Sequence, residues 1–137
     1  MFDADVLIAF LGRDDANHDE AVERMRSALQ PGCERLVSAV NYSEVLIGPL
    51  QRLGAAGAEA VDSMFSRFGI ETVPVDRALA RKAAAVRART GLELPDAYAL
   101  ATATDASGSG RSEVRLDSFD QSVIRAFAAL RERPLEP

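Results

Sequence analysis

Short apolar segments alternate along the chain with longer segments in which apolar residues recur every three or four positions. The short segments are typical of β-strands, and the longer pattern is typical of helices that bury one face. The sequence predicts strands at 1–4, 35–39, 70–75 and 114–118. Strands that alternate with helices favour an α/β domain, with a central and mostly parallel sheet of about four to five short strands flanked by helices.

The helices predicted between these strands begin and end at residues that favour helix termini. Gly12 closes a first short helix that starts near Val6, and Asp76 caps a helix that Gly91 ends. Apolar residues at helical spacing predict helices at 6–11, 18–30, 58–68, 77–90 and 121–133. Two further helices are predicted to begin at 41 and at 94. The Ser-Gly-Ser-Gly sequence at 107–110 predicts the one flexible loop.

Length and composition limit the class of protein. A chain of 137 residues with 47% hydrophobic and 27% charged residues fits a single domain over 1–137. A domain of this size holds a core without disulfides, and the single cysteine, Cys33, cannot form one within the chain. The sequence has neither a secretion signal nor an apolar run long enough to span a membrane, so we expect a cytoplasmic protein.

The charge balance separates two kinds of nucleic-acid protein. Sixteen basic and 21 acidic residues give a net charge of −5, which argues against a protein that coats nucleic acid through its positive charge. An enzyme that acts on nucleic acid remains compatible, since such an enzyme uses acidic residues to bind metal ions at its centre.

Acidic residues fall where the predicted strands end or where the following helices begin. Asp3 ends the first strand, Glu44 opens the helix after the second strand, and Asp96 opens a later helix. Asp117 and Asp120 lie at the end of the last strand. Because ligands bind at the carboxyl edge of an open parallel sheet, these acids can converge there although they are far apart in the sequence.

A group of facing carboxylates is stable only when cations compensate its charge or when some of the acids keep their protons. Mg²⁺ and Mn²⁺ prefer oxygen ligands, and substrate phosphate commonly completes their coordination. One histidine and one cysteine in the whole chain argue against a zinc site of the usual kind. The pattern therefore indicates metal-assisted phosphoryl chemistry.

Three segments resemble the motifs of the PIN-domain family. Phe2-Asp3-Ala4-Asp5-Val6-Leu7-Ile8-Ala9 resembles the opening Asp-x-Ser-x-Leu-Ile of that family, and Ser38-Ala39-Val40-Asn41-Tyr42-Ser43-Glu44-Val45-Leu46 resembles its second, Glu-bearing motif. Leu94-Pro95-Asp96-Ala97-Tyr98-Ala99-Leu100-Ala101-Thr102-Ala103 is similar to the third. The motifs follow in the right order over nearly the whole chain, and the size and the segment 14–18 resemble the VapC toxins of bacterial type II toxin–antitoxin systems.

The resemblance implies a Mg²⁺- or Mn²⁺-dependent endoribonuclease that cuts a structured cellular RNA. It further implies a homodimer that is neutralised by a cognate VapB antitoxin, which inserts an arginine into the acidic pocket. Carried over by motif, Asp3, Glu44 and Asp96 are the metal-binding and catalytic carboxylates. The family commonly shows Thr-x-Asp after the last strand, so the fourth acid is Asp120 in Ser118-Phe119-Asp120, or its near neighbour Asp117.

Three further residues are expected to support these acids. Asp5 stands where a neutral serine or asparagine is usual, so it either adds a negative charge or contacts the metal through water. Ser118 is expected to hydrogen-bond a metal-bound water, and Asn41 is expected to lie around the metal-binding acids without binding the metal itself. The residues that bind the RNA substrate cannot be assigned from these motifs.

Each candidate also has a purely structural interpretation. Glu44 can complete a capping box with Asn41, Asp96 can interact with a helix dipole, and Asp120 can cap the last helix. His18 is interpreted as a first-turn helix residue rather than as a catalytic base, and Cys33 as an inert thiol.

Two other functions are compatible with parts of the sequence. Asp3-Ala4-Asp5-Val6 can be the Asp-x-Asp of a haloacid-dehalogenase-like phosphatase with Asp3 as nucleophile, but the only lysine, Lys82, is predicted to lie within a helix. A non-catalytic interaction module of the same fold is the other alternative, and a lack of metal affinity would favour it.

Overall fold

The computed structural model describes residues 1–109 and 113–135, and within them the chain forms seven helices and two strands. The elements in chain order are α1 (Ala4–Leu11), α2 (His18–Ala28), β1 (Arg35–Ser38), α3 (Ala39–Leu53), α4 (Ala55–Phe68), β2 (Ile70–Val73), α5 (Arg77–Thr90), α6 (Leu94–Gly108) and α7 (Gln121–Glu132).

Two extended segments enlarge the sheet beyond its two strands. β1 and β2 pair in parallel, with Arg35 opposite Ile70. On the other side of β1, the Phe2 N–H donates to the Leu36 carbonyl at 2.8 Å, and Phe2 forms a parallel bridge with Asp117. The order across the sheet is therefore β2, β1, the segment 1–3 and the segment around Asp117. The predicted α/β class with a parallel sheet is confirmed.

The predicted number of strands was too high for the described residues. The strand predicted at 1–4 is reduced to a bridge because Asp3 already caps α1, which begins at Ala4. The strand predicted at 114–118 shrinks to a bridge at Asp117 because its partner segment is that short. β2 ends at Val73 rather than at 75, since Pro74 has no N–H to continue the ladder.

The bounds of three helices also differ from the prediction. α2 ends at Ala28, before the predicted residue 30, and α3 begins directly after β1 because Ser38 caps it. α4 begins at Ala55 rather than at 58, and Gly57 lies inside it. A Cβ on Gly57 would lie 2.1 Å from the Pro49 carbonyl oxygen, so glycine permits the close approach of α3 and α4.

The loop predicted at 107–110 was wrong in its first half. Residues 107 and 108 complete α6, and residue 109 forms a turn. Residue 110 lies outside the described residues.

The core lies on both faces of the sheet, because neighbouring residues of a strand point to opposite sides. Met1 and Leu36 belong to an apolar cluster with α5, α6 and α7. Phe2 and Val37 belong to a second cluster with α1, α2, α3 and α4. This layering brings the starts of α1, α3 and α7 to the carboxyl edge of the sheet. No helix in the described parts of the chain is both long and apolar enough to cross a membrane.

Candidate metal centre

Helix starts at the carboxyl edge of the sheet carry the predicted acids. Asp3 caps α1, where its Oδ1 accepts a hydrogen bond from the Ala4 N–H at 2.8 Å. Glu44 lies in the second turn of α3, and Asp96 lies in the first turn of α6. Asp120 caps α7, as predicted, and its carboxylate accepts from the Ser122 N–H at 2.9 Å. The fold thus delivers one acid from each of four helix starts.

Asp3 is a buried carboxyl group at the centre of this edge, with only 3% of its surface exposed. Its pKa is raised from 3.8 to about 7, mainly by burial and also by the nearby charges of Asp5 and Asp96. Two hydrogen bonds oppose the increase, one from Ala4 and one from the Ser118 hydroxyl, which donates to Asp3 Oδ2 at 2.9 Å. Asp3 is therefore held in one orientation but is costly to ionise.

Asp5 and Asp3 both accept a hydrogen bond from the Ser118 hydroxyl. The Oδ2 of Asp5 accepts from the Phe119 N–H at 2.9 Å and lies 3.3 Å from the Ser118 Oγ. Burial raises the pKa of Asp5, and the charge of Asp120 adds to the increase. Its Oδ1 is buried and has no hydrogen-bond partner among the described residues. A buried carboxylate oxygen without a partner is an acceptor that a cation or an ordered water would satisfy.

Asp96 shows that the acids lie close enough to interact. The residue is half-buried, and its pKa is raised from 3.8 to about 6, with burial as the largest cause. The charges of Asp120, Glu44 and Asp5 account for further parts of this increase, in that order. Carboxylates from α1, α3, α6 and the cap of α7 therefore form one electrostatic group.

Asn41 connects Glu44 to the start of α6 through its amide. It is fully buried, and its Nδ2 donates to Glu44 Oε1 at 3.0 Å and to the Pro95 carbonyl at 3.1 Å. The capping box of Asn41 and Glu44 was wrong, since Ser38 is the residue that caps α3 and accepts from the Asn41 N–H at 3.0 Å.

Asp117 is oriented differently from the other acids. Its Oδ1 lies 3.2 Å from Arg24 Nη1 and 3.8 Å from Arg115 Nη2, and the residue is nearly buried. Two guanidinium groups thus neutralise Asp117, whereas Asp120 acts on the pKa values of Asp5 and Asp96. The structure brings Asp120 into the acidic group and keeps Asp117 in an ion pair.

Sequence reasoning missed two features of this edge. The pairing of Arg24 with Asp117 joins positions 93 apart, and nothing local in the sequence announces it. The role of Ser38 had a local signal, because a serine three positions before a buried asparagine at a strand end is a recognisable helix cap. His18 begins α2, as predicted, and its Nδ1 donates to the Ala9 carbonyl at 2.8 Å.

The oxygen atoms of the acidic group fit a hard divalent cation as ligands. Its side chains present carboxylate oxygens, which Mg²⁺ and Mn²⁺ prefer, and the free Oδ1 of Asp5 adds an unsatisfied acceptor. Within 1–109 and 113–135, no three or more histidine, cysteine, aspartate or glutamate side chains lie at the spacing of a complete metal site. The fit is therefore to an ion held by one or two carboxylates directly and by the others through water, as is usual for Mg²⁺.

The chain is similar to a known protein family. Residues 1–133 match the model of the PIN domain, which covers nearly the whole chain, and no curated protein matches the sequence. The match contradicts the phosphatase interpretation of Asp3, and Lys82 pairs with Asp105 on the surface between α5 and α6. PIN domains are typically metal-dependent nucleases, in agreement with the acidic group at the sheet edge. The chain belongs to the PIN domain family.

Proposed function

We propose that the protein is a Mg²⁺- or Mn²⁺-dependent endoribonuclease of the VapC toxin type, which hydrolyses phosphodiester bonds in a structured cellular RNA. The observation that carries the proposal is the convergence of Asp3, Asp5, Glu44, Asp96 and Asp120 at one edge of the sheet, where burial and mutual repulsion raise the pKa values of Asp3 and Asp96. In the metal-free protein the carboxylates repel one another, which destabilises the fold. A divalent cation, together with substrate phosphate, compensates this repulsion.

In this proposal one or two of Asp3, Asp96 and Asp120 hold the ion directly, and the remaining acids, including Glu44, contribute through water. When bound, the ion lowers the pKa of a water and stabilises the leaving oxygen of the phosphodiester. Ser118 fixes the orientation of Asp3 through its hydroxyl, and it accepts from the Asp120 N–H at 3.1 Å. One serine thereby sets the relative position of two acids that come from opposite ends of the chain.

The test is a Mn²⁺ titration by calorimetry, combined with a digest of total RNA. Asp96→Asn should lose most Mn²⁺ binding and most cleavage while its circular dichroism spectrum stays that of the wild type. Asp105→Asn is the matched control, because it makes the same change on the same helix at a site that pairs with Lys82. Cleavage that survives in Asp96→Asn would contradict the proposal. Wild-type protein that neither binds Mn²⁺ nor cuts RNA would favour the interaction module.

We further propose, from the resemblance, that the protein is a homodimer and that a VapB-type antitoxin neutralises it. Large apolar side chains on α3 support a surface for another protein, since Ile47 is 54% exposed and Leu53 is 65% exposed. An arginine of the antitoxin would find several carboxylates at the acidic group. Sedimentation equilibrium tests the dimer, and a monomer at micromolar concentration would contradict it. Growth arrest on expression, lost in Asp96→Asn, tests the toxin role.

A further inference from the structure

Asn41 is the residue through which α3 and α6 share a hydrogen-bonded contact beside the acidic group. It has no exposed surface. Its Oδ1 accepts from the Ser38 hydroxyl at 2.5 Å, and its Nδ2 donates to Glu44 Oε1 at 3.0 Å and to the Pro95 carbonyl at 3.1 Å. Both hydrogens of Nδ2 and the amide oxygen are therefore used.

This set of partners needs a primary amide of this length. Two acceptors, a carboxylate and a backbone carbonyl, face one end of the side chain, and a hydroxyl donor faces the other end. An ionised aspartate of the same shape has no hydrogen to donate and would place a negative charge against the carboxylate of Glu44. A leucine would leave three polar groups without their partner.

The two acceptors lie on α3 and at the start of α6. One is the side chain of Glu44 itself, and the other is the carbonyl of the residue directly before Asp96. Glu44 and Asp96 repel each other, as the effect of Glu44 on the pKa of Asp96 shows. Glu44 is only half-buried, so without the amide its carboxylate is free to turn towards solvent and away from Asp96.

We infer that Asn41 is a positioning residue, whose amide sets where the Glu44 carboxylate stands relative to the start of α6. The inference rests on the proposed metal-dependent function and adds to it the residue that fixes the geometry of two of its acids. Residues that orient metal-binding side chains typically contribute about 10- to 100-fold to metal affinity or activity.

The sequence offers a matched control, because it contains two asparagines, Asn17 and Asn41. Asn17 lies before α2, is exposed, and its side chain makes no capping hydrogen bond. Mn²⁺ affinity is measured by calorimetry without RNA for Asn41→Asp and Asn17→Asp, together with thermal unfolding. We expect Asn41→Asp to weaken Mn²⁺ binding by about 10- to 100-fold and Asn17→Asp to leave it unchanged. If Asn41→Asp does not fold, Asn41→Ser removes the amide without adding charge.

A double-mutant cycle distinguishes positioning from a general loss of stability. If Asn41 acts through Glu44, then Asn41→Ser should lower Mn²⁺ affinity much less in a Glu44→Ala background than in the wild type. Additive losses would overturn the inference, as would an Asn41 variant that binds Mn²⁺ like Asn17→Asp. Wild-type protein that binds no Mn²⁺ and cuts no RNA would instead refute the proposed function, and the inference with it. If the wild type binds Mn²⁺ and cuts RNA, and the Asn41 variant binds Mn²⁺ equally well, the inference alone is refuted.

Discussion

Replacing Asp3 with asparagine should make the metal-free protein more stable at neutral pH and should abolish its activity. The pKa of Asp3 is about 7 in the folded protein, against 3.8 for an ordinary aspartate. At about 1.4 kcal/mol for each pKa unit, ionising Asp3 in the folded state costs about 4 kcal/mol. Asparagine has nearly the same shape, keeps an oxygen for the Ala4 N–H, and carries no charge to desolvate.

The sign of the pH dependence follows from where the proton is held. Between pH 4 and 7 the folded protein keeps the Asp3 proton while the unfolded chain loses it, so folding binds protons and the free energy of unfolding falls as pH rises. The stabilising contribution is complete below pH 4 and is lost above pH 7. Asp96, with a pKa of about 6, contributes in the same direction over a narrower range.

The assay is urea unfolding at several pH values in the presence of a metal chelator. We expect Asp3→Asn to gain about 2–4 kcal/mol over the wild type at pH 8 and to be nearly equal to it below pH 4. Asp76→Asn is the control, since Asp76 also caps a helix but is exposed, and asparagine caps as well as aspartate. A wild-type stability that rises from pH 4 to 7, or an Asp3→Asn variant less stable than wild type at pH 8, would refute the reasoning.

Two further pairs of variants test other parts of the structure. Gly57→Ala should lower the free energy of unfolding by about 1–3 kcal/mol, because the added Cβ would collide with the backbone of α3. Gly108→Ala at the end of α6 should raise the free energy of unfolding by about 0.5–1 kcal/mol, because the space around Gly108 is open. Equal effects in chemical denaturation would contradict the tight α3–α4 contact. Asp120→Asn should weaken Mn²⁺ binding, while Asp117→Asn should cost stability through its ion pair with Arg24 and leave Mn²⁺ binding intact; the reverse result in calorimetry and thermal unfolding would assign the fourth acid to Asp117.

The sequence predicts the fold class and the helices well because both depend on local periodicity. It overestimates the strands at 1–4 and 114–118, since an apolar run has the same pattern whether it pairs over several residues or over one. The ladder here is limited by Asp3, which must cap α1 and therefore turns the chain after Phe2.

The positions of the candidate acids could be predicted for a similar reason. The choice between Asp117 and Asp120 could not. Positions at strand ends and helix starts are visible in the sequence, so Asp3, Glu44 and Asp96 could be named from it. Asp117 and Asp120 are three positions apart at the same edge, and their surroundings differ because Arg24, far away in the sequence, pairs with Asp117. Contacts over such distances leave no local trace.

The hydrogen bond from Ser118 to Asp3 spans 115 positions, and the bridge of Phe2 to Asp117 spans a similar distance. Asp3 therefore acquires the hydrogen bond from Ser118 only when residue 118 has been synthesised. Because contacts between distant positions form late in folding, a growing chain carries the carboxylates long before it carries their arrangement. If the protein has the proposed ribonuclease activity, the order of synthesis itself delays that activity until the chain has been made up to its last helix.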